Sequence, residues 1–405
     1  MAAHAESETP LPRASIRPSL VRLQPGATQA FKIIRMAAPL RPATLMETVT
    51  WSVNGIRGGN KTFGTIDAQG VYRAPNKAPS PPEIHIIGEV TGVANRTLFA
   101  TVMMESDRPL YEMTVEFSEP LKGAKYFNNP HCVTLDIDGN LLIADYDGCR
   151  VLRFTPEGNY LGDLGNGIGE EPGQVHLPRV VLVDNKGDIY VSDLKQFGPR
   201  VQVFSNKGKY LYSFAEKGTG SGEVLRAHGM DFNSLDELFL VDVDAMRVNV
   251  YTHDGCFLRT WGQDGPDLED FNAPHGLVID PNDDVFVSNY YGTIQKFTPE
   301  GEFLYQVTRA DPPDGSVYVH SICGDRWGNL YAMVRGQRGF GGEVEVSKGK
   351  LVSLEKYNNN GDYIAGITLT VKAHAENWAH VDNKDNLYFI YRGEDTAGFE
   401  IFAHR

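Results

Sequence analysis

The stretch Asn129-Pro-His-Cys-Val-Thr-Leu-Asp-Ile-Asp-Gly-Asn-Leu-Leu-Ile-Ala-Asp-Tyr-Asp-Gly-Cys-Arg-Val-Leu-Arg-Phe154 decides the fold of this chain. Its apolar residues fall into three short runs, separated by the turn Asp136-Ile-Asp-Gly-Asn140 and the loop Asp145-Tyr-Asp-Gly-Cys149. Short runs rich in Val, Ile and Leu, bounded by Asp, Gly and Asn, read as β-strands joined by tight turns. The stretch therefore predicts three antiparallel strands. Such a sheet has two apolar faces and cannot bury both by itself.

The chain supplies the missing partners by repeating the unit. The acidic or Asn residue that closes the first strand recurs as Asp136, Asp184, Asn233, Asp280, Asp325 and Asp382, at intervals of 48, 49, 47, 45 and 57 residues. Each is followed by a second strand, such as Asp188-Ile-Tyr-Val-Ser-Asp193 or Asp284-Val-Phe-Val-Ser-Asn289. Third strands follow (Arg200-Val-Gln-Val-Phe204, Arg247-Val-Asn-Val-Tyr251), then fourth strands (Tyr210-Leu-Tyr-Ser-Phe214, Phe257-Leu-Arg-Thr-Trp261). Four strands per unit at this period predict a β-propeller, whose ring buries both faces of every blade. The spelling strand-Asp-x-x-Gly-Asn-hydrophobic-Ala/Ser-Asp, with a later Arg-Val-x-x-Phe, resembles the NHL-repeat family.

Ring closure is also readable. The sixth unit stops at Ile401-Phe-Ala-His-Arg405, one strand short, whereas Leu110-Tyr-Glu-Met-Thr-Val-Glu-Phe-Ser118 has the spelling of an outer strand. That segment is expected to complete the last blade and hide its edge. The expectation is an all-β chain: a six-bladed propeller over 109–405, closed by strand 110–118 and preceded by an immunoglobulin-like β-sandwich.

The sandwich is expected over 19–105, after a disordered arm at 1–18. Short alternating strands with turns every ten or so residues support it. Trp51-Ser-Val-Asn-Gly55 and Gly64-Thr-Ile-Asp-Ala-Gln-Gly-Val-Tyr-Arg-Ala-Pro75 are similar to bacterial immunoglobulin-like domains. The resemblance implies a spacer or docking surface. Asn60-Lys-Thr and Asn95-Arg-Thr match the N-glycosylation sequon, a short pattern that chance often supplies.

Composition narrows the partners. With 38 Lys and Arg against 52 Asp and Glu, the net charge of −14 repels nucleic acid and anionic membranes. No apolar run reaches the length of a membrane span. No apolar signal segment opens the sequence as given; the immunoglobulin-like resemblance leans the compartment towards periplasmic or secreted, and the oligomeric state is left open. Four cysteines show no CxxC and read as buried thiols, with a Cys132–Cys149 bridge as the alternative.

Function is legible at one register of the repeat. Five residues before each anchor stand His131, Arg179, His228, His275, His320 and Asn377. Four of these six are His, in a chain with 11 His among 405 residues. One such His is more often a hydrogen-bonded rim residue; four at equivalent positions bordering a central channel point to a metal. Neutral imidazole suits zinc and related divalent ions, and catalytic zinc keeps three protein ligands and one open position. Alternate blades space three ligands best, which selects His131, His228 and His320. His275 is left as a fourth ligand, an acid/base group or a substrate contact.

At this point the sequence resembles the peptidyl-α-hydroxyglycine α-amidating lyase family, six-bladed propellers with a zinc held by three His on alternate blades. The resemblance implies zinc at His131, His228 and His320, with catalytic roles for Arg179, Tyr146 and Tyr290. Three departures stand out, the first being the fused immunoglobulin-like domain, which is not a standard part of that family. The family has an Asp directly after one zinc His, assisting a structural calcium, whereas Cys132, Gly229 and Ser321 follow the three His here, so calcium has no support in this sequence. Arg179 also has no one-to-one match to the family's catalytic Arg.

Arg335, Arg392 and Asn377 are candidate substrate contacts on the same face, and Arg side chains beside a metal would suit a carboxylate. Exposed loop arginines are the plainer reading. His176 and His374 lie in loops leading into the second and sixth blades. Asp145, Asp193 and Asp242 read as turn-fixing residues. The Gly-rich insertion between Arg335 and Lys350 reads equally as a lid or a surface loop. No Gly-x-Ser-x-Gly, phosphate-binding loop, His-Glu-x-x-His or dinucleotide fingerprint is present. Two readings stand: a metal-dependent lyase or eliminating/hydrating enzyme for a small carboxylate-bearing substrate, or a non-catalytic propeller that binds a protein or glycan on that face.

Overall fold

A computed structural model describes residues 14–35, 48–91, 96–104, 111–120, 125–195, 198–307, 317–336, 352–368, 378–392 and 396–404. Every regular element among them is a β-strand. The chain divides into two compact units: 1–110 with the turn 358–362 and residue 405, and 111–357 with 363–404.

The first unit holds a five-stranded and a four-stranded sheet and a two-stranded ribbon. Its long hairpin pairs Glu83–Thr91 with Arg96–Met104, and Glu83–Thr91 also pairs with Thr48–Val53. Alternating side chains (Trp51, Val53, Ile84, Ile86, Ala100, Val102) form its core. Part of the expected arm at 1–18 is regular, and residues 1–13 lie outside the described residues. Ala14–Arg17 is a strand paired antiparallel with Lys32–Arg35, because Ile16 has an apolar site to fill and is fully buried there.

The second unit contains six four-stranded sheets. Their inner strands are Pro130–Leu135, Val180–Val183, Ala227–Phe232, Pro274–Ile279, Val317–Gly324 and Ala379–Val381. Each touches the next, and the sixth touches the first, so the ring is closed. The sixth sheet takes its outer strand from the start of the unit: Tyr111–Pro120 pairs antiparallel with Thr396–His404. Phe117 on that strand stacks on Phe399 with ring centroids 5.2 Å apart and lies 5.5 Å from Phe154 of the first blade. The closing strand thus joins the last blade to the first through packed aromatic rings.

The six anchors explain the turns. In every blade the anchor's side-chain oxygen accepts two backbone N–H bonds across the first hairpin, as from Asp138 and Asn140 to Asp136, or from Lys384 and Asn386 to Asp382. This is the Asx device that fixes a tight turn. The acids closing the second strands do similar work at the other end. Asp145 accepts from Asn128 and Asn129, Asp193 from His176, and Asp242 from Leu225 and Arg226. Arg150, Arg200 and Arg247 face the same three carboxylates. Burial pushes all three carboxyls above their ordinary value, while these donors oppose the shift.

Candidate functional site

The inner strands of four blades are irregular at one position. Pairing slips between Pro130 and Cys132, Ala227 and Met230, Pro274 and Leu277, and Val319 and Ser321. The residues inside those β-bulges are His131, His228 with Gly229, His275 with Gly276, and His320. A bulge re-aims the side chain it carries. Arg179, at the matching place in the second blade, donates its backbone N–H to the Ser192 carbonyl, and the pairing from Val180 to Val183 runs without a slip.

Glycines let the third, fourth and fifth inner strands approach closely. A Cβ on Gly229 would lie 2.5 Å from the backbone nitrogen of Leu277. One on Gly276 would lie 2.8 Å from Ser288 Oγ and 3.1 Å from the backbone nitrogen of Ile322. The consequence is a packed aromatic and imidazole cluster. The rings of His228 and His275 have centroids 3.6 Å apart, and those of His131 and His228 are 5.5 Å apart. Tyr146 lies 5.8 Å from His131 and Tyr290 lies 5.7 Å from His275. The Arg179 guanidinium sits 4.9 Å over the Tyr146 ring. Trp378, unremarked in the sequence although it follows Asn377 directly, packs 6.2 Å from His228. His131, His228, His275 and Trp378 are all buried.

A hydrogen bond orients His131. His131 Nδ1 donates to the Arg179 carbonyl at 3.1 Å. In the neutral ring that tautomer leaves the lone pair on Nε2, the usual way an outer partner prepares a ligating or basic imidazole.

The metal expectation can be tested against this geometry. Two imidazoles sharing one tetrahedral zinc, each nitrogen about 2 Å from the ion, have centroids roughly 5 Å apart. His131 and His228, at 5.5 Å, fit that spacing. His228 and His275, at 3.6 Å, are too close to share an ion in that way and are in ring contact instead. Among the described residues no group of three His, Cys, Asp or Glu is arranged to hold a metal. The expected third ligand, His320, lies on the described backbone of Val317–Gly324, with its side chain outside the described residues.

The remaining candidates separate. Arg392 ends the second strand of the sixth blade opposite Ala397, and nothing among the described residues ties it to the imidazoles. Arg335 pairs through its backbone with Tyr318 and Val352, and its side chain lies outside the described residues. Asn377, His374, Asn95 and the insertion from 337 to 350 lie outside them too. His176 Nδ1 donates to the Leu194 carbonyl at 2.7 Å, a structural contact. No Cys132–Cys149 bridge forms. Cys132 is buried against the second blade, its thiol pushed up to about 12 by burial, whereas Cys149 is half-buried in the loop after the second strand and Cys256 is exposed. Among the described residues no helix is long and apolar enough to cross a membrane.

No family model matches the chain. It is 25% identical over 228 residues to peptidyl-glycine alpha-amidating monooxygenase B of Xenopus laevis, covering 52% of this chain and 25% of that protein. It is 24% identical over 137 residues to protein brain tumor of Drosophila melanogaster, covering 34% of this chain and 12% of that one. The chain thus spans a quarter or less of the curated relatives it matches. Among solved structures, a gluconolactonase of Xanthomonas campestris superposes over 73% of this chain and 96% of its own with a TM-score of 0.50 at 14% identity. The chain is a β-propeller.

Proposed function

We propose that the channel mouth of the propeller is the active site of a metal-dependent lyase, or an eliminating or hydrating enzyme, acting on a small carboxylate-bearing substrate. The observation that carries this reading is the tautomer set by the bond from His131 Nδ1 to the Arg179 carbonyl, with His228 at ligand-sharing distance. The match to peptidyl-glycine alpha-amidating monooxygenase B, an enzyme by name, favours catalysis over a purely structural role. His131 and His228, joined by His320, would hold a divalent ion, zinc by the chemistry of its imidazole donors. Bound there, the ion would polarise a substrate oxygen.

The chain's own groups supply the rest. Elimination needs one group to take a proton and another to give one to the departing oxygen. His275 and Tyr290, with ring centroids 5.7 Å apart, are placed for such a division of labour. Arg179 is held over Tyr146, with its Nη2 3.5 Å from the Tyr146 hydroxyl, and would pair with the substrate carboxylate.

The test starts from purified full-length protein. Metal content by mass spectrometry should reach one equivalent and fall in His131→Ala and His228→Ala. A panel of hydroxy and alkoxy carboxylates should be turned over by the wild type and not by these variants. Metal-free protein whose variants melt and bind as the wild type does would sink the proposal.

One observation favours a second reading. His131 and His228 are each only 1% exposed. Rings so deep also suit a packed plug beneath a face that binds a protein or glycan without chemistry. That reading expects both substitutions to lower the melting temperature of metal-free protein, with no turnover in any variant.

A further inference from the structure

The first unit has an open pocket of about 880 Å³ that none of the propeller chemistry uses. Its wall is made from the turn after Gly59–Asn60, the strand Gly64–Ile66, the end of Val71–Arg73 and the loop that runs on to Ser80. The charges on this wall run against the rest of the chain. Lys61, Arg73 and Lys77 line it and no Asp or Glu does, although the whole sequence carries 52 acids against 38 bases. Among the described residues no carboxylate pairs with any of the three cations.

The wall is also well fixed. Asn60 Oδ1 accepts the backbone N–H groups of Thr62 and Phe63, both at 2.9 Å, which sets the turn that carries Lys61. The Tyr72 hydroxyl donates to the Phe63 carbonyl at 2.6 Å, tying that turn to the strand that carries Arg73. Thr65 pairs with Arg73 across the sheet. A Cβ on Gly64 would lie 2.4 Å from the Arg73 carbonyl, so the strands close over a position that only glycine fits.

We propose that this pocket binds a short oligosaccharide bearing carboxylates, such as a chain of two to four uronic acid units. Three cations gathered on one pocket wall that carries no acid favour an anionic ligand, and each can give a carboxylate a charge-assisted hydrogen bond. Thr62, Thr65 and Ser80 offer hydroxyls to match those of a sugar, and Pro75 and Pro79 offer apolar surface to its C–H faces. The volume lies within the range of roughly 300–1,000 Å³ usual for small-ligand sites. A long polyanion is disfavoured: past a Debye length of about 8 Å the three cations no longer attract it, and units lying along an acidic surface meet negative charge at close range.

Calorimetry on the full chain with trigalacturonate, maltotriose, citrate and inorganic phosphate decides the matter. Trigalacturonate should bind, more weakly as salt rises, and maltotriose should not. Arg73→Gln and Lys77→Gln should each weaken binding about tenfold, the effect of losing one hydrogen bond to a charged group. Both side chains are exposed, so the melting temperature should hold. Failure of trigalacturonate to bind, equal binding by maltotriose, equal binding by citrate or phosphate, or unchanged affinity in both variants would each overturn the proposal. Metal content and turnover at the propeller mouth are read separately, so neither proposal's failure mimics the other's.

Discussion

His228 and His275, on neighbouring blades, lie with their imidazole centroids 3.6 Å apart and their planes tilted by 40°. Two features bring them together: a bulge at each histidine, and a glycine after each that lets the third, fourth and fifth inner strands close up. The glycines should therefore be as sensitive as the histidines. Gly229→Ala places a methyl group 2.5 Å from a backbone nitrogen, which no side-chain rotation relieves. A loss of about 1–3 kcal/mol is expected, the usual range for overpacking a dense core. Chemical denaturation measures it, and a variant as stable as the wild type would show that the blades can separate at no cost.

The pair Asp193–Arg200 should be costly to break. Arg200 Nε lies 2.7 Å from Asp193 Oδ1, both side chains are almost fully buried, and Arg200 also donates to the carbonyls of Glu170 and Gln174. Removing one member of a buried pair leaves the other charge stranded, at about 3–5 kcal/mol. Asp193→Ala should show that loss as a lowered urea midpoint. Replacing both residues with apolar ones should restore part of it.

Closing the ring rests on Phe117. It stacks on Phe399 of the sixth blade and contacts Phe154 of the first. Phe117→Ala should cost about 2–4 kcal/mol, less than a fully buried aromatic because the ring is half-exposed. Hydrogen exchange should accelerate first in 396–404 and 111–120. Uniform acceleration across all blades would contradict a localised latch.

Asp231 should give stability a pH dependence. Burial pushes its carboxyl from 3.8 up to about 6, against the N–H donors of Ile279 and Phe232. The folded state therefore holds this proton more tightly than the unfolded chain. Its contribution is complete below the ordinary carboxyl value and is lost as pH rises through about 6. The loss is on the order of 3 kcal/mol. Urea unfolding of wild type and Asp231→Asn at pH 4 and pH 7 isolates it: the stability difference should shift in favour of the variant at the higher pH. Parallel profiles would remove Asp231 from the account.

The sequence by itself determined the propeller. Six anchors, six hairpins and an early strand spelled as an outer one are local signals, because an Asx turn and an alternating strand are built from residues close in the chain. The same register placed His131, Arg179, His228, His275 and His320 at one level of the repeat. The acids Asp145, Asp193 and Asp242 were readable as turn-fixing for the same reason. Distances among these side chains were beyond that reading. The contact of His228 with His275 depends on bulges and on strands from different blades approaching closely, and alternate-blade counting assumes a regular ring. Trp378 joined the cluster from beside the counted position, where no repeat signal marks it. Ile16 drew the supposed arm into a sheet because its burial site is formed by residues far along the chain. Lys61, Arg73 and Lys77 are unremarkable in sequence and become a cationic pocket only when a turn, a strand and a loop are folded against one another. Local chemistry sets the repeat; packing between distant strands sets the sites.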